Sequence, residues 1–237
     1  MNADRIRLIK HGHNSHWLVA ASGTRLVLRR YGKGARWAPD GVAWELELVR
    51  RLAEAGYPAA APLAGPLTVE GDVYVLFPFV SGRALRPGDA GYRELGRRLA
   101  ELHDVVLAHV RMDQRPERRS LTAAAAPPEG GPGREELLAR LARLDAGLAA
   151  RVDATSAAIA PRLQALADLP QHPVHGDFAP WNLRMSGGRM VGVFDFDDAR
   201  LDILAADVAH ARRGYHDPVV DGYLQRRSLS AGELAGL

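Results

Sequence analysis

The chain has 237 residues, 47% hydrophobic and 25% charged, with a formal net charge of +3 and a pI of about 9.5. That length suits one large domain or two small lobes, and the charge excess is too mild for a nucleic-acid footprint. The absence of cysteine excludes disulfides, iron–sulfur clusters, thiolate zinc and cysteine nucleophiles; with no signal-peptide pattern and no long apolar run, the expectation is a cytoplasmic protein without membrane or nucleic-acid partners.

In chain order, the front predicts β structure. Arg5 to Ile9 alternates with period two, Trp17–Val19 and Leu26–Leu28 are short apolar runs, and Ser22-Gly23 between them is a hairpin turn. The polar segment His11 to Ser15 predicts a loop before the second strand. Val42 to Ala55 predicts a helix with Leu46, Val49, Leu52 and Ala53 on one face, capped by Asp40 or Gly41 and ended by Gly56. Pro58 to Pro66 predicts an extended segment. Val69 to Val80 predicts two strands around Glu70-Gly71-Asp72, and Phe77-Pro78-Phe79-Val80-Ser81-Gly82 has the mixture of aromatic residues and chain breakers of a hinge.

Tyr92 to Val106 predicts an amphipathic helix carrying Leu95, Leu99, Leu102 and Val106. Residues 112 to 134, rich in proline and glycine, predict a surface loop or linker. Helices are predicted from Glu135 to Ala150 and from Val152 to Ala167, with their apolar stripes in the core. Met190 to Phe194 predicts a buried strand and Leu204 to Arg213 a helix. At the end, Ser230 and Glu233 have the spacing of a capping box; a helix that starts so close to Leu237 is the pattern of a chain cut short.

The chemistry concentrates late. Residues 1–40 hold eight Lys/Arg and two Asp, whereas 175–207 hold six Asp and three Arg, a division that suits phosphates on one side of a cleft and a divalent metal on the other. Within His175-Gly176-Asp177-Phe178-Ala179-Pro180-Trp181-Asn182, Asp177 can accept a hydroxyl proton, and Asn182 on the same loop can turn an amide oxygen to a metal. Asp195 follows an apolar strand that would hold its carboxylate rigidly. Phosphoryl transfer needs this combination of carboxylate, oxygen ligands and phosphate neutralisation.

These residues resemble the signature of the aminoglycoside phosphotransferase and choline kinase superfamily. The resemblance implies an α+β, bilobal protein-kinase-like fold: a small antiparallel-sheet N-lobe with one helix over residues 1–77, a hinge at 78–82 and a helical C-lobe over 83–237. It implies Asp177 as catalytic base, Asn182 and Asp195 as Mg²⁺ ligands, and His175 as the residue that orients the loop. Leu26-Val27-Leu28-Arg29 is similar to the strand that offers a basic residue to the nucleotide phosphates, with Arg30 as the rival. Glu45 is similar to its helical partner, with Glu47 pointing the other way. Phe77 and Phe79 lie in the segment similar to the one whose backbone holds the base of ATP or GTP, and Asp207 is similar to a structural aspartate of the C-lobe.

The bland alternatives are specific. Asn14 and Ser15 sit in a loop that offers backbone N–H groups to phosphate, or in an ordinary turn. His11, His13 and His16 have poor spacing for one metal site and read as surface histidines. Trp181 reads as packing for its loop, Arg29 as a solvent-facing charge in the bland case, and Asp197 and Asp198 as a solvated turn or auxiliary groups. The implied function is transfer of the γ-phosphate of ATP or GTP to a hydroxyl of a small molecule. The aspartates from 195 to 202 favour a cationic acceptor such as an aminoglycoside or another antibiotic, beside small metabolites such as homoserine and protein hydroxyls. Two other readings fit part of the pattern: a non-catalytic kinase-like binding module, and a metal-dependent nucleotide-sugar glycosyltransferase using Asp195 and Asp197.

Overall fold

The structure is a computed structural model that describes residues 5–34, 37–116, 118–120, 133–213 and 217–235. Strands β1 (Arg5–His11), β2 (Ser15–Ala21), β3 (Thr24–Arg30), β4 (Ala64–Val69) and β5 (Asp72–Pro78) form one antiparallel sheet in the order β1-β2-β3-β5-β4. Two hairpins turn on Ser22-Gly23 and Glu70-Gly71, where all four φ angles are positive (49°, 76°, 51° and 81°). Such two-residue turns match the twist of the strands they join. β4 begins at Ala64, inside the stretch expected to be merely extended.

Helix α1 (Pro39–Glu54) starts three residues before the expected Val42 and has no side-chain cap. Proline at its start makes a cap less necessary: φ is already helical and one orphan N–H is absent. Its end follows the sequence. Gly56 has φ 82°, Gly56 N–H donates to Ala53 O (2.9 Å) and Tyr57 N–H to Leu52 O (2.9 Å), which is the Schellman arrangement. Val42 and Leu46 pack with Tyr31, Val73 and Val75 under the sheet. Trp44, Leu48, Val49 and Leu52 face the other way into the main core. One helix therefore joins the sheet lobe to the helical lobe.

The second lobe contains α2 (Asp89–His109), α3 (Arg134–Leu144), α4 (Ala146–Ala165), α5 (Leu204–Arg212), α6 (Asp217–Leu224) and α7 (Ala231–Ala235). It also holds two small antiparallel pairs, β6 (His172–Val174) with β9 (Arg200–Asp202) and β7 (Leu183–Ser186) with β8 (Arg189–Val193). Leu95, Leu99, Leu102 and Val106 of α2 are buried as expected and pack with Phe178, Leu183, Val193, Phe196, Val208 and Tyr223. The architecture is the α+β, bilobal, kinase-like fold that the sequence implies. The capping box is also present: Ser230 Oγ accepts from Glu233 N–H (3.2 Å) and Glu233 Oε2 from Ser230 N–H (2.8 Å). Among the described residues, no helix is long and apolar enough to cross a membrane.

Three expectations are corrected. The break between α3 and α4 falls at Asp145, not near residue 151, because the Asp145 carboxylate accepts from Leu148 N–H (2.8 Å) and caps α4. The stripes of these helices are not core: α3 buries no residue, α4 buries only Ala149, and Leu137 and Leu144 are 50% and 87% exposed. Periodicity shows that a helix has an apolar side, not what covers it, and these two helices lean on each other instead of on the main core. Residues 117 and 121–132 of the expected surface loop lie outside the described residues, but Arg115 is 1% exposed and Ser120 3%. The reason lies in the site described below. A smaller difference is Val191, 41% exposed on the edge of a strand expected to be buried.

The contact between α2 and α6 depends on two glycines. A Cβ at Gly96 would lie 1.9 Å from Val219 O, and one at Gly222 would lie 1.9 Å from Arg93 O. The Gly96→Ala substitution should destabilise the fold by about 2–3 kcal/mol through overpacking, read as a lower urea midpoint at unchanged m. A wild-type midpoint would show that the helices separate freely.

Candidate active site

The site is built on the loop that follows β6. Asp207, in the first turn of α5, is fully buried. Its carboxylate accepts from the backbone N–H of His175 (2.8 Å) and Gly176 (2.9 Å) and bonds His103 Nε2 (3.3 Å), whose Nδ1 meets Tyr223 OH (2.8 Å). Burial alone would raise the Asp207 pKa, but the His103 side chain and the backbone N–H of His175 outweigh it and hold Asp207 at about 2. Gly176 has φ 75°, and a Cβ there would sit 2.2 Å from Asp198 O, so this turn requires glycine.

The His175 ring is fully buried against Phe178 and Phe196. Its Nδ1 accepts from Asp177 N–H (3.2 Å), and its Nε2 faces Phe194 O (3.3 Å). A carbonyl can only accept, so these partners assign the neutral ring with its proton on Nε2. Burial lowers the His175 pKa in the same direction. His175 thus ties the loop to the end of β8, and its ring lines neither cavity described below.

Asn182 Nδ2 donates to Asp177 O (2.9 Å) and to Asp177 Oδ2 (3.1 Å). Asn182 also lines the interlobe cavity described below. Asp177 Oδ1 faces Arg213 and His210 Nε2, the latter at 3.6 Å. Burial tends to raise the Asp177 pKa, yet His210, Arg213 and His175 leave it below the usual carboxylate value. Trp181, expected to pack its loop, is 47% exposed with the Arg213 guanidinium 5.5 Å from its ring centre.

Arg29 is buried, not a solvent-facing charge. Its guanidinium reaches Glu45 (3.4 Å), Asp195 (3.5 Å) and Asp197, and lies 4.3 Å over the Tyr31 ring. Burial works to lower its pKa, but Tyr31, Glu45, Asp197 and Asp195 more than offset this and raise it. Glu45 also accepts from Tyr31 OH (3.0 Å) and pairs with Arg115 (3.4 Å); burial pushes it up to about 7 although Arg29 and Arg115 oppose the shift. Glu47, the rival, is exposed and pairs with Arg51 (2.8 Å).

Asp197 is not a solvated turn: it is buried, and it also accepts from Asn14 Nδ2. Asn14 Oδ1 in turn accepts from Gly32 N–H (2.9 Å). Asp195 sits just past β8 at φ 70°. Burial and neighbouring Asp197 raise its pKa against the pull of Arg29. Arg115 explains its own burial. It donates to the carbonyls of Phe196 (3.2 Å), Asp197 (3.0 Å) and Ala199 (2.7 Å), so the segment after α2 locks the turn that carries both aspartates.

A cavity of about 390 Å³ lies between the lobes. Val27, Phe77, Phe79 and Val80 give it an apolar wall, while Lys10, Arg29, Glu45, Asn182 and Asp195 supply its polar end. A second cavity of about 240 Å³ is lined by Lys10, Asn14, His16, Asp177, Asp195 and Asp197, among others. The structure therefore gathers Arg29, Glu45, Phe77, Phe79, Asn182 and Asp195 on one cleft and places Asn14 and Asp177 on the adjoining one. Ser15 is not brought in: its hydroxyl lies 2.9 Å from His11 Nδ1 and 3.4 Å from Arg30. Among the described residues, no group of three or more His, Cys, Asp or Glu could hold a metal by itself, which covers the histidines of the front loop.

Sequence reasoning missed Lys10, Arg115, His210 and Arg213, and it read His16 as a surface histidine where the structure half-buries it beside both cavities. Lys10 and His16 line both cavities. Burial, Arg29 and Lys10 lower the His16 pKa to about 4. Lys10 carried a signal, as one of two lysines in the chain. Arg115 and Arg213 carried none among so many arginines.

An antiparallel five-stranded sheet over a helical lobe, with a cleft between them, defines the kinase-like class. A model of the phosphotransferase enzyme family, APH, matches residues 5–236. The homoserine kinase of Phenylobacterium zucineum (strain HLK1) is 31% identical over 242 residues, covering 94% of this chain and 71% of that protein. The homoserine kinase of Rhizobium meliloti (strain 1021) is 32% identical over 243 residues, with coverage of 94% and 71%. Among solved structures, a microcompartment-associated aminopropanol kinase superposes with a TM-score of 0.67 at 22% identity, covering 98% of this chain and 78% of that one. The ternary complex of a thermostable mutant of aminoglycoside phosphotransferase APH(4)-Ia with AMP-PNP and hygromycin B gives 0.63 at 19% identity, with coverage of 100% and 81%. The chain belongs to the phosphotransferase enzyme family.

The Asp207 anchor sets an acid dependence. A carboxylate with a folded-state pKa of about 2 contributes stability above the unfolded value near 4 and loses it as the pH falls from 4 to 2. This amounts to on the order of 2 kcal/mol. Asp207→Asn should lower stability at pH 7 by about 3 kcal/mol and flatten the acid limb of urea stability measured from pH 5 to 2.5. An unchanged acid limb would remove Asp207 from the account.

Proposed function

We propose that this protein transfers the γ-phosphoryl group of ATP or GTP to a hydroxyl of a small molecule. The observation that carries the reading is the juxtaposition of Asp177, Asn182 and Asp195 at one end of an interlobe cleft whose other end is apolar. Asp177 is proposed to hold the acceptor hydroxyl and take its proton. The apolar wall of Val27, Phe77 and Phe79 suits a nucleotide base, and Arg29, Lys10 and the loop around Asn14 suit its phosphates.

Asn182 and Asp195 would hold Mg²⁺. The donor set fits: Asn182 lines the cleft with its amide nitrogen spent on Asp177, and Asp195 is crowded by Asp197, so a cation beside it relieves repulsion. Two protein oxygens are few, but Mg²⁺ commonly completes its shell with water and substrate phosphates. When bound, the ion would neutralise charge on the phosphates.

Relatives at 31–32% identity whose names are homoserine kinases favour a small amino alcohol as acceptor. The aminoglycoside phosphotransferase neighbours, at 18–19% identity, support the fold and give antibiotic acceptors no further weight. The glycosyltransferase reading needs a βαβ unit at the front, where the sheet is antiparallel, and a metal-facing Asp197, which is held by Arg29 and Asn14.

Asp177→Ala should reduce phosphoryl transfer by roughly 10³-fold in a coupled assay for nucleoside diphosphate release, while calorimetry finds Mg·ATP binding within about twofold of wild type. Transfer at the wild-type rate would refute the assignment of the base. Nucleotide binding without transfer to any hydroxylated acceptor, in the wild type, would support the non-catalytic reading instead.

A further inference from the structure

We infer that Arg213, with His210 beside it, forms a carboxylate-binding subsite for the acceptor, and that the acceptor is an anionic or zwitterionic hydroxy compound. This rests on Asp177 being the base of the proposed transfer.

The two oxygens of Asp177 are distinguishable. Oδ2 takes the Asn182 amide N–H at 3.1 Å, on the side of the nucleotide cleft. Oδ1 points the other way, to the C-terminal end of α5, where Arg213 and His210 meet it. Oδ1 can receive a hydroxyl without disturbing the Asn182 bond, provided that Arg213 is drawn away from it. During transfer the acceptor O–P bond forms, the bond from the γ-phosphorus to the β–γ bridging oxygen breaks, Asp177 receives the proton and the nucleoside diphosphate leaves with the bond electrons. The acceptor's remaining atoms then lie among Arg213, His210 and the exposed face of Trp181.

Arg213 is the positive charge of that corner, and His210 Nε2 faces its guanidinium. Arg213 closes α5 at φ 34°, where the helix end favours positive charge, and its side chain is 31% exposed. The guanidinium is held between the Trp181 ring and Asp177. It is partly solvated and, among the described residues, pairs with one carboxylate and meets His210 Nε2, unlike Arg29, which is shared among three carboxylates. An incoming carboxylate can therefore take Arg213 over from Asp177, satisfying the guanidinium fork and releasing Oδ1 to the hydroxyl in one exchange. A polycationic acceptor would meet like charge and leave Arg213 on the base. The aspartates from 195 to 202 do not reverse this. Asp195 and Asp197 face Arg29, Asp198 pairs with Arg118 (3.1 Å), and Asp202 is buried against Arg200 (2.8 Å).

The test compares two acceptors that differ only by a carboxylate, homoserine and 3-aminopropan-1-ol, with kanamycin as a polycation. The wild type should use homoserine with kcat/KM roughly 30- to 100-fold above that for 3-aminopropan-1-ol, the range a charged hydrogen-bonded pair supplies, and should not use kanamycin. Arg213→Ala should raise the KM for homoserine by a similar factor and should not lower kcat/KM for 3-aminopropan-1-ol, because it uncovers the oxygen of Asp177 that Arg213 otherwise occupies. Arg213→Lys should recover part of the loss. Equal use of the two small acceptors by the wild type, preference for kanamycin, or an equal loss for both small acceptors in Arg213→Ala would overturn the subsite while leaving the phosphotransferase reading intact. Transfer to none of the acceptors by a wild type that binds Mg·ATP would overturn both.

Discussion

The site depends on one buried guanidinium. Arg29 comes from the sheet, Glu45 from the helix beneath it, and Asp195 and Asp197 from the turn after β8. These carboxylates repel one another in a region with little water, where unpaired charge is costly. Arg29 is what allows them to converge, and Arg115 completes the set by pairing with Glu45 and holding three carbonyls of the aspartate turn. Two guanidinium charges against three carboxylates leave the floor of the cleft short of positive charge when all are ionised. Burial first, and the charge of Asp197 second, raise the pKa of Glu45 and of Asp195 against the pull of the guanidinium groups.

A second constraint acts from behind the loop. Asp207 holds two consecutive N–H groups, and the neutral His175 ring links Asp177 N–H to Phe194 O. The loop carrying Asp177 and the segment carrying Asp195 are therefore fixed to each other before any ligand arrives. Asp195 in the left-handed region is part of this arrangement. A non-glycine residue pays a conformational penalty there, offset by bonds on either side of it, through Phe194 O and through the carbonyls of Phe196 and Asp197. Such preorganisation is the contribution a protein can make to phosphoryl transfer, which needs positioned charge more than covalent chemistry.

What the sequence made legible follows from range. The hairpins, the end of α1 at Gly56, the stripe of α2 and the spacing from Asp177 to Asn182 are local patterns, and each could be read from residues a few positions apart. Asp177, Asn182 and Asp195 could be named because one loop and one short hairpin carry them. Family resemblance supplied the long-range pairing of Arg29 with Glu45, which no period encodes. Where neither applied, the reading failed. Arg115 sits in a segment whose prolines and glycines suggest solvent, and its burial is decided by carbonyls about 80 residues away in sequence. Ser15 shares a loop with Asn14, but strand alternation sends the two side chains to opposite sides, Asn14 to Asp197 and Ser15 to Arg30. Apolar periodicity on α3 and α4 was real, but it did not specify a partner surface.

The use of arginine at position 29 is explained by the same network. A lysine ammonium is a compact point charge that can sit close to one or two carboxylates. The guanidinium is wide and planar, with donors at separate corners. Nη1 faces Glu45 while Nη2 faces Asp195 and Asp197, and the flat face covers Tyr31. A lysine at this depth would be drawn to one side and could not reach all three carboxylates at once. The chain instead places a lysine at Lys10, on the rim of both cavities, where a mobile and solvated charge can follow a ligand. Rigid and mobile positive charge are thus divided between two strands: Arg29 maintains the geometry of the cleft, and Lys10 remains available to whatever anion enters it.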